Sequence, residues 1–293
     1  MNTPLHLDAA ARVLPTDTTL GPATLSVADL DRSVSFYSQV IGFKLLDRTA
    51  DHAVMGVDTP VIILKHKPGA VRQPAFSTGL YHVAILLPSR VDLAHAIMHL
   101  AQIRYPMEGY SDHMVSEAFY LADPDGNGLE IYRDKPRSEW SFVNGQLAMA
   151  NAPIDLDDFF AELGDNPPPF EGLAVGTRVG HMHLRVGNTD KAVKFYTEVI
   201  GFEVMQLWSG AGFVSAGGYH HHLGLNMWQS RGASAPPPNS AGLEEWTIEL
   251  PSLDGVEQVI ARLEASNHAY ARDGADVLVR DPWETKVRIT VRS

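Results

Sequence analysis

An internal repeat limits the fold of this chain more than any other feature of its sequence. Residues 25–43 (LSVADLDRSVSFYSQVIGF) align without gaps to residues 184–202 (LRVGNTDKAVKFYTEVIGF). Two shorter blocks, GLYHVAILLP and LADP, recur later in the same order as GLEEWTIELP and VRDP. Self-similarity over this length indicates two copies of one domain rather than two unrelated domains.

The repeat divides the 293 residues into a tail, two domains and a linker. We expect the tail over residues 1–19, the first domain over 20–134, the linker over 135–176 and the second domain over 177–293. Several prolines make the linker semi-rigid. One stretch of it, residues 154–163, has the spacing of a short helix.

Each domain contains the same order of predicted elements twice: one strand, one helix and then short strands. Alternating apolar residues predict the strands, and apolar residues spaced three or four apart predict the helices. Gly42 is placed to end the first helix. In the first domain the predicted elements are a strand 24–27, a helix 31–41, strands 43–47, 53–57 and 61–65, a strand 81–87, a helix 91–102, and strands 118–122 and 128–132.

The chain is therefore expected to consist of four βαβββ units, which predicts an α+β fold. We number the units one to four, and they begin near residues 22, 80, 180 and 243. The helix of a unit covers one face of its sheet and leaves the other face apolar. Two units must therefore share one curved mixed sheet around a common cavity, and four units make two such half-barrel pairs.

Composition and charge limit the partners of this fold. The net charge of −12 argues against binding to nucleic acid or to an anionic membrane surface. No apolar run approaches the roughly 20 residues that span a bilayer, and residues 1–20 lack the pattern of a signal peptide. We therefore expect a soluble, cytoplasmic protein. Because the sequence has no cysteine but 13 histidines, a tight metal site would use imidazole and carboxylate ligands.

Aligned strands of the four units carry different polar residues at equivalent positions. One set consists of His82, Glu130 and His181, and the other set consists of Glu245, Arg288 and Pro22. Two imidazoles and one carboxylate are the ligands of a facial triad, which leaves open positions on iron for substrate and dioxygen. The other set cannot form this site because arginine replaces the carboxylate. A hydrogen-bonded core histidine or an ion-paired glutamate is the structural alternative, but three matching positions favour the metal site.

Two motifs carry a resemblance to a known superfamily. The motif GHMHLRV, which begins at Gly180 and is followed by KFY and IGF, resembles the vicinal oxygen chelate superfamily of glyoxalases and extradiol dioxygenases. The stretch HMVSEAFYLADPDGNGLEIY, from His113 to Tyr132, resembles the metal-carboxylate end of extradiol ring-cleaving dioxygenases. Within that group the chain resembles the two-domain catechol-2,3-dioxygenase branch found in bacilli, over both domains but not over the tail and linker.

This resemblance implies a fold, a reaction and a set of site residues. The fold would be a tandem of glyoxalase-like domains. The reaction would be cleavage of catechol or a substituted catechol by O2 at a non-haem Fe(II), with Mn(II) left open as the metal. The residues it implies are the metal ligands His82, Glu130 and His181, the acid–base histidine His221 with His222 as its rival, and the hydrogen-bonding residues Tyr120 and His113.

The resemblance breaks at one ligand. In dioxygenases of this type the first histidine comes from the unit before the one that gives the second histidine and the glutamate, but here that position is Pro22. His181 comes instead from unit three, in the other repeat. We therefore hypothesise that unit two pairs with unit three, within one chain or across a swapped dimer, while units one and four form a second pair without a metal. His82 and His181 should then lie close to one metal.

Several alternatives stay open at the level of sequence. His183 lies on the same strand face as His181 and could replace it as a ligand. His222 and Trp228 are candidate substrate-binding residues. Trp208 and Trp246 are weaker candidates for an aromatic pocket, because large aromatic residues more often belong to the core. The same fold also serves isomerases, thiol transferases and metal-free binding or resistance proteins. The sequence leaves open which catechol is cleaved and whether the chain forms a homo-oligomer.

Overall fold

A computed structural model describes residues 13–143 and 146–292, so most of the predicted tail, residues 1–12, lies outside the described residues. The described strands, in chain order, are β1 (Thr19–Val27), β2 (Lys44–Arg48), β3 (His52–Gly56), β4 (Pro60–His66), β5 (Gly79–Leu86), β6 (Gly109–Asp112), β7 (Ser116–Ala122), β8 (Gly128–Asp134), β9 (Phe142–Val143), β10 (Gln146–Leu147), β11 (Arg178–Arg185), β12 (Glu203–Trp208), β13 (Ala211–Ser215), β14 (Leu223–Asn226), β15 (Gly242–Leu250), β16 (Tyr270–Asp273), β17 (Asp276–Arg280) and β18 (Lys286–Val291). The α-helices are α1 (Leu30–Ser35), α2 (Arg90–Gln102), α3 (Leu156–Ala161), α4 (Thr189–Lys194) and α5 (Leu253–Ala265).

The strands form two mixed eight-stranded sheets. Sheet one has the order β16-β17-β18-β15-β1-β4-β3-β2, and sheet two has the order β12-β13-β14-β11-β5-β8-β7-β6. Sheet one thus joins unit one to unit four, and sheet two joins unit two to unit three, within one chain. In each sheet the two units meet through their first strands, which run antiparallel. The predicted α+β fold of four units in two mixed sheets is confirmed. The boundaries of the two sequence domains stay a prediction. Each domain contributes one unit to each sheet.

The first helix of units one and three differs from the prediction in its second half. The single helix expected over residues 31–41 is α1 followed by a π-helical turn, Phe36–Ile41. The second copy repeats this arrangement with α4 and Phe195–Ile200. Apolar spacing over so few residues does not distinguish a π turn from an α turn. Gly42 ends the first helix as predicted, with a φ of 95° that favours glycine.

Two buried hydrogen bonds tie the sheets together. The Tyr37 hydroxyl donates to Asp123 over 3.2 Å, and the Tyr196 hydroxyl donates to Asp281 over the same distance. Each tyrosine belongs to a unit in one sheet, and its aspartate follows a strand of the other sheet. Every repeat therefore fastens one sheet to the other through the same pair of residue types.

The linker packs against the edge of sheet two. It contains a 3-10 turn (Arg137–Glu139), the hairpin β9–β10 and α3, which lies within the predicted helical stretch. Asp112 of the edge strand β6 and Ala152 exchange two backbone hydrogen bonds of 2.9 Å. Strand β6 has no counterpart in the predicted elements. The linker thereby covers a strand edge that would otherwise offer unpaired backbone groups.

No helix in the described parts of the chain is long and apolar enough to cross a membrane. The cytoplasmic location expected from the sequence stays a prediction.

Candidate metal centre and active site

Three neighbouring strands of sheet two position the predicted ligands. Across these strands Glu130 of β8 lies beside Ala84 of β5, and Ala84 lies beside His181 of β11. His82 precedes Ala84 by two residues and therefore points to the same face of the sheet. The small side chain of Ala84 leaves room above it, where the three longer side chains converge.

The three ligand atoms form one compact buried group. His82 Nε2 and His181 Nε2 lie 2.9 and 3.2 Å from the same oxygen, Glu130 Oε2. One ligand atom from each residue falls within 4.8 Å of the others. Although His82 Nε2 lies 2.9 Å from that oxygen, the angles do not form a hydrogen bond, and this buried nitrogen is left without a partner, an arrangement that costs free energy unless another group occupies the site. The residues therefore fit a metal ion.

The surroundings favour the protonation states that a metal requires. Burial acts to raise the pKa of Glu130, but the imidazoles of His181 and His82 outweigh it and hold that pKa well below its ordinary value. Burial lowers the pKa of His181 to about 4, against the opposing effect of Glu130. An ionised carboxylate beside the neutral imidazole of His181 is ready to bind a cation without first losing protons.

A cavity of about 350 Å³ opens over this group. It contains the predicted residues His113, Tyr120, His221 and Trp228, together with Trp208. Its lining residues are Tyr81, His82, Tyr110, Ser111, His113, Ser116, Tyr120, Glu130, Met149, Asn151, His181, His183, Trp208, Phe213, His221 and Trp228. Arginine and lysine do not occur among these described residues, and aromatic rings form much of the wall.

Tyr120 and His113 form a hydrogen-bonded pair in the cavity wall. His113 Nδ1 lies 3.2 Å from the Ala150 carbonyl, which can only accept, so this nitrogen carries a hydrogen. His113 Nε2 is then free to accept from the Tyr120 hydroxyl, 2.6 Å away. Tyr120 is also the cross-strand neighbour of Glu130. Burial and the Glu130 charge raise the pKa of Tyr120, which keeps it a phenol.

The structure separates the two rival histidines. The His221 ring lies in the cavity wall, with its centroid 4.1 Å from that of His181. Burial lowers the pKa of His221 well below its ordinary value. His222 is turned away from the cavity, and its Nδ1 lies 2.8 Å from Ser215 Oγ. His222 is thus a predicted site residue that the structure does not bring to the cavity, because its Nδ1 is held on the other side by Ser215 and the Ala216 backbone N–H.

Their surroundings also decide the roles of two weaker candidates, His183 and Trp246. His183 lines the cavity, but its Nε2 accepts a hydrogen bond of 3.0 Å from Asn226 Nδ2, which occupies the lone pair that a metal would need. Trp246 is fully buried in sheet one and belongs to the core. Sequence reasoning did not pair His220 with Asp134, whose side chains lie 2.8 Å apart behind His221.

The equivalent place in sheet one holds an ion-pair cluster. Arg288 Nε lies 2.7 Å from Glu245 Oε1. The same guanidinium contacts Asp276 at 2.8 Å and Asp273 at 3.0 Å. A cation supplied by the chain therefore stands where sheet two offers three ligand atoms.

Comparison with known proteins agrees with this geometry. The family model of the Glyoxalase/Bleomycin resistance protein/Dioxygenase superfamily matches residues 19–131 and 178–286. The chain belongs to this superfamily. The resemblance inferred from the sequence motifs is thus confirmed.

One relative and two solved structures extend the comparison. The Catechol-2,3-dioxygenase of Bacillus subtilis (strain 168) is 41% identical over 272 residues, which cover 91% of this chain and 94% of the relative. Glyoxalase I from Zea mays shares 15% identity and a TM-score of 0.56, over 93% of this chain and 92% of that one. The cppA protein from Streptococcus pneumoniae TIGR4 shares 12% identity and a TM-score of 0.57, over 96% and 99%. The two structures support the fold alone.

Proposed function

We propose that the chain is an extradiol dioxygenase that uses Fe(II) and O2 to open the ring of a catechol. The observation that carries the proposal is the buried group of His82, Glu130 and His181 at the floor of an aromatic cavity. Two imidazoles and one carboxylate are the ligand set of non-haem Fe(II) oxygenases. The name of the 41% identical relative, Catechol-2,3-dioxygenase, supports the same substrate class.

His82 and His181, through Nε2, and Glu130, through its carboxylate, would hold the metal. Bound Fe(II) supplies open coordination positions for the two catechol oxygens and for O2, and the redox chemistry between them. The same ligands also suit Mn(II), so iron is proposed on the ligand set and is tested against manganese below. The product would be a ring-opened, yellow semialdehyde.

The cavity wall supports an uncharged substrate. Tyr81, Phe213 and Trp228 present aromatic surfaces to the cavity, which favour a stacked or edge-on ring. Among the described residues, the lining has no guanidinium or ammonium group to pair with a carboxylate on the ring, and Glu130 would repel one. A volume of about 350 Å³ leaves room for an apolar substituent. Catechol and alkyl or halogen derivatives are therefore the proposed substrates.

Three residues would handle protons and orient the substrate. His221 would take the proton of a catechol hydroxyl and return a proton later in the reaction, a general acid–base role. Tyr120, held by His113, would orient the substrate oxygen by hydrogen bonding.

Oxygen consumption after anaerobic metal loading tests the proposal. Purified protein is loaded with Fe(II) or Mn(II) and mixed with catechol, beside His82→Ala and the control His66→Ala, which removes an exposed histidine of sheet one. We expect Fe(II)-dependent uptake and a yellow product in the wild type and in His66→Ala, and loss of both in His82→Ala.

The other outcomes have distinct meanings. Bound metal without oxygen uptake on catechol and its alkyl or chloro derivatives would contradict the dioxygenase and favour another metal enzyme of the superfamily. Absence of stoichiometric metal would favour a binding protein. Uptake with Mn(II) but not Fe(II) would overturn the choice of iron and leave the reaction intact.

A further inference from the structure

The cavity histidine His221 is one end of a hydrogen-bond chain that leads away from the cavity. Its Nδ1 lies 2.8 Å from His220 Nδ1, and His220 Nε2 lies 2.8 Å from Asp134 Oδ1. The His220 side chain has no exposed surface, whereas that of Asp134 is 26% exposed. The chain therefore runs from the cavity through a buried imidazole to a carboxylate at the surface.

Counting hydrogens along this chain determines the tautomer of each ring. A carboxylate only accepts, so His220 Nε2 carries a hydrogen and donates to Asp134. The other nitrogen of a neutral His220 is then an acceptor. Two ring nitrogens at 2.8 Å share one hydrogen, so His221 Nδ1 donates to His220. His221 Nε2 is left without a hydrogen.

The Asp134 carboxylate, at the surface end of this hydrogen-bond chain, has further hydrogen-bond partners. The Tyr219 hydroxyl donates to Asp134 over 3.0 Å, and the Tyr132 and Tyr219 hydroxyls lie 2.8 Å apart. Glu130, Tyr132 and Asp134 alternate along β8 and so share one face of that strand. One strand face therefore supplies both the metal-binding carboxylate and the carboxylate behind the acid–base histidine.

We infer that Asp134 and His220 are positioning residues that fix His221 in the Nδ1–H tautomer, so that its bare Nε2 can act as the base toward a catechol hydroxyl. The inference rests on the proposed function. Without His220 the His221 ring loses the partner that selects its tautomer and its orientation. A base in the wrong tautomer presents a hydrogen where the reaction needs a lone pair.

Four variants separate tautomer control from simple packing. His220→Phe keeps a ring in the buried space but removes both nitrogens. Asp134→Ala removes the acceptor, whereas Asp134→Asn keeps an oxygen that can accept from His220. His66→Phe is the matched control, because it makes the same exchange at an exposed histidine of sheet one.

The first readout is steady-state kinetics on the Fe(II)-loaded full chain with catechol. We expect kcat to fall by about 10²-fold in His220→Phe and Asp134→Ala, at unchanged KM and iron content, since general base catalysis contributes at least that much. Asp134→Asn and His66→Phe should stay within about threefold of the wild type. Thermal unfolding of each variant identifies any that fail to fold.

The second readout does not depend on activity. Nitrogen-15 NMR of the full chain loaded with diamagnetic Zn²⁺ reports which nitrogen of His221 carries the hydrogen, with His221→Ala to assign the signal. We expect Nδ1–H in the wild type and a mixture of tautomers in His220→Phe.

Each unfavourable result has one meaning. Nε2–H in the wild type, or wild-type kcat in a folded His220→Phe, would overturn the positioning role. Absence of catechol cleavage by the wild type would refute the proposed function, while the NMR result would still decide the tautomer.

Discussion

The two sheets have the same topology but differ in how positive charge reaches the carboxylates at one equivalent place. In sheet two, Glu130 and His181 flank Ala84, and with His82 they offer three atoms that could hold a cation from outside the chain. In sheet one, Arg288 lies beside Thr247 and brings its own positive charge to the neighbouring carboxylates. The equivalent place on each sheet therefore favours a central cation. Where the chain supplies it, the site is structural; where the chain does not, the site can bind a metal.

Removing the carboxylate from each sheet should give the largest contrast. Glu130→Gln is expected to lower iron affinity by more than about 10²-fold, because changes behind metal ligands alone cost 10–100-fold. Glu245→Gln, at the position equivalent to His82, should leave iron affinity unchanged. Iron titration of both variants measures the difference. Wild-type affinity in Glu130→Gln would show that the glutamate is not a ligand.

Exchanging the small residue beneath the site tests why Ala84 matters. Ala84→Thr introduces the residue type found at the aligned position of sheet one, Thr247. The added atoms fill the space where the three side chains converge. We expect about a tenfold loss of iron affinity, within the 1–3 kcal/mol typical of overpacking. The reciprocal Thr247→Ala should not alter iron binding. Equal affinity in Ala84→Thr would mean that the floor of the site has spare room.

Sheet one should respond in stability rather than in activity. Arg288→Met leaves Glu245, Asp273 and Asp276 without their shared cation. Because the Arg288 side chain is 25% exposed, solvent screens the ion pairs, and we expect a loss of only about 1–2 kcal/mol in the free energy of unfolding. Denaturant unfolding measures this, with catechol cleavage as the parallel readout. Reduced cleavage by a folded Arg288→Met would contradict the separation of roles.

The contacts that join the sheets should behave alike in both repeats. Tyr37→Phe and Tyr196→Phe each remove one buried hydrogen bond to an aspartate. We expect each to lower the free energy of unfolding by about 1 kcal/mol, the usual net value of such a bond. Denaturant unfolding of the two variants should agree closely. A large difference between them would show that one repeat contributes more to the junction than the other.

The repeat explains why the sequence predicted so much of this arrangement. Pro22 cannot be a metal ligand, so the sequence required the remaining histidine, His181, to come from another unit. That requirement predicted the pairing of units two and three that forms sheet two. Features without a repeated counterpart were harder. The linker brings Met149 and Asn151 into the cavity wall, although no pattern in its sequence indicates a contact.

The consecutive histidines show a second limit of the sequence. His220, His221 and His222 have the same chemistry, and the turn before β14 gives no reference from which to count alternating faces. Only their contacts separate them. One signal was available for Asp134, because it follows Glu130 by four residues and shares its face once the strand predicted over 128–132 extends by two residues, as β8 does.

The exchange of units between the repeats also bears on how such a chain can change over generations. Each sheet needs one unit from either copy, so two identical single-copy chains could build two identical sites only as a dimer, and every substitution would appear in both. Joining the copies in one polypeptide removes that constraint. The position of Arg288 could then take up an ion-pair role while the position of Glu130 kept the carboxylate of the proposed metal site. Covalent linkage thus allows an assembly with internal symmetry to divide its labour between a reacting half and a supporting half.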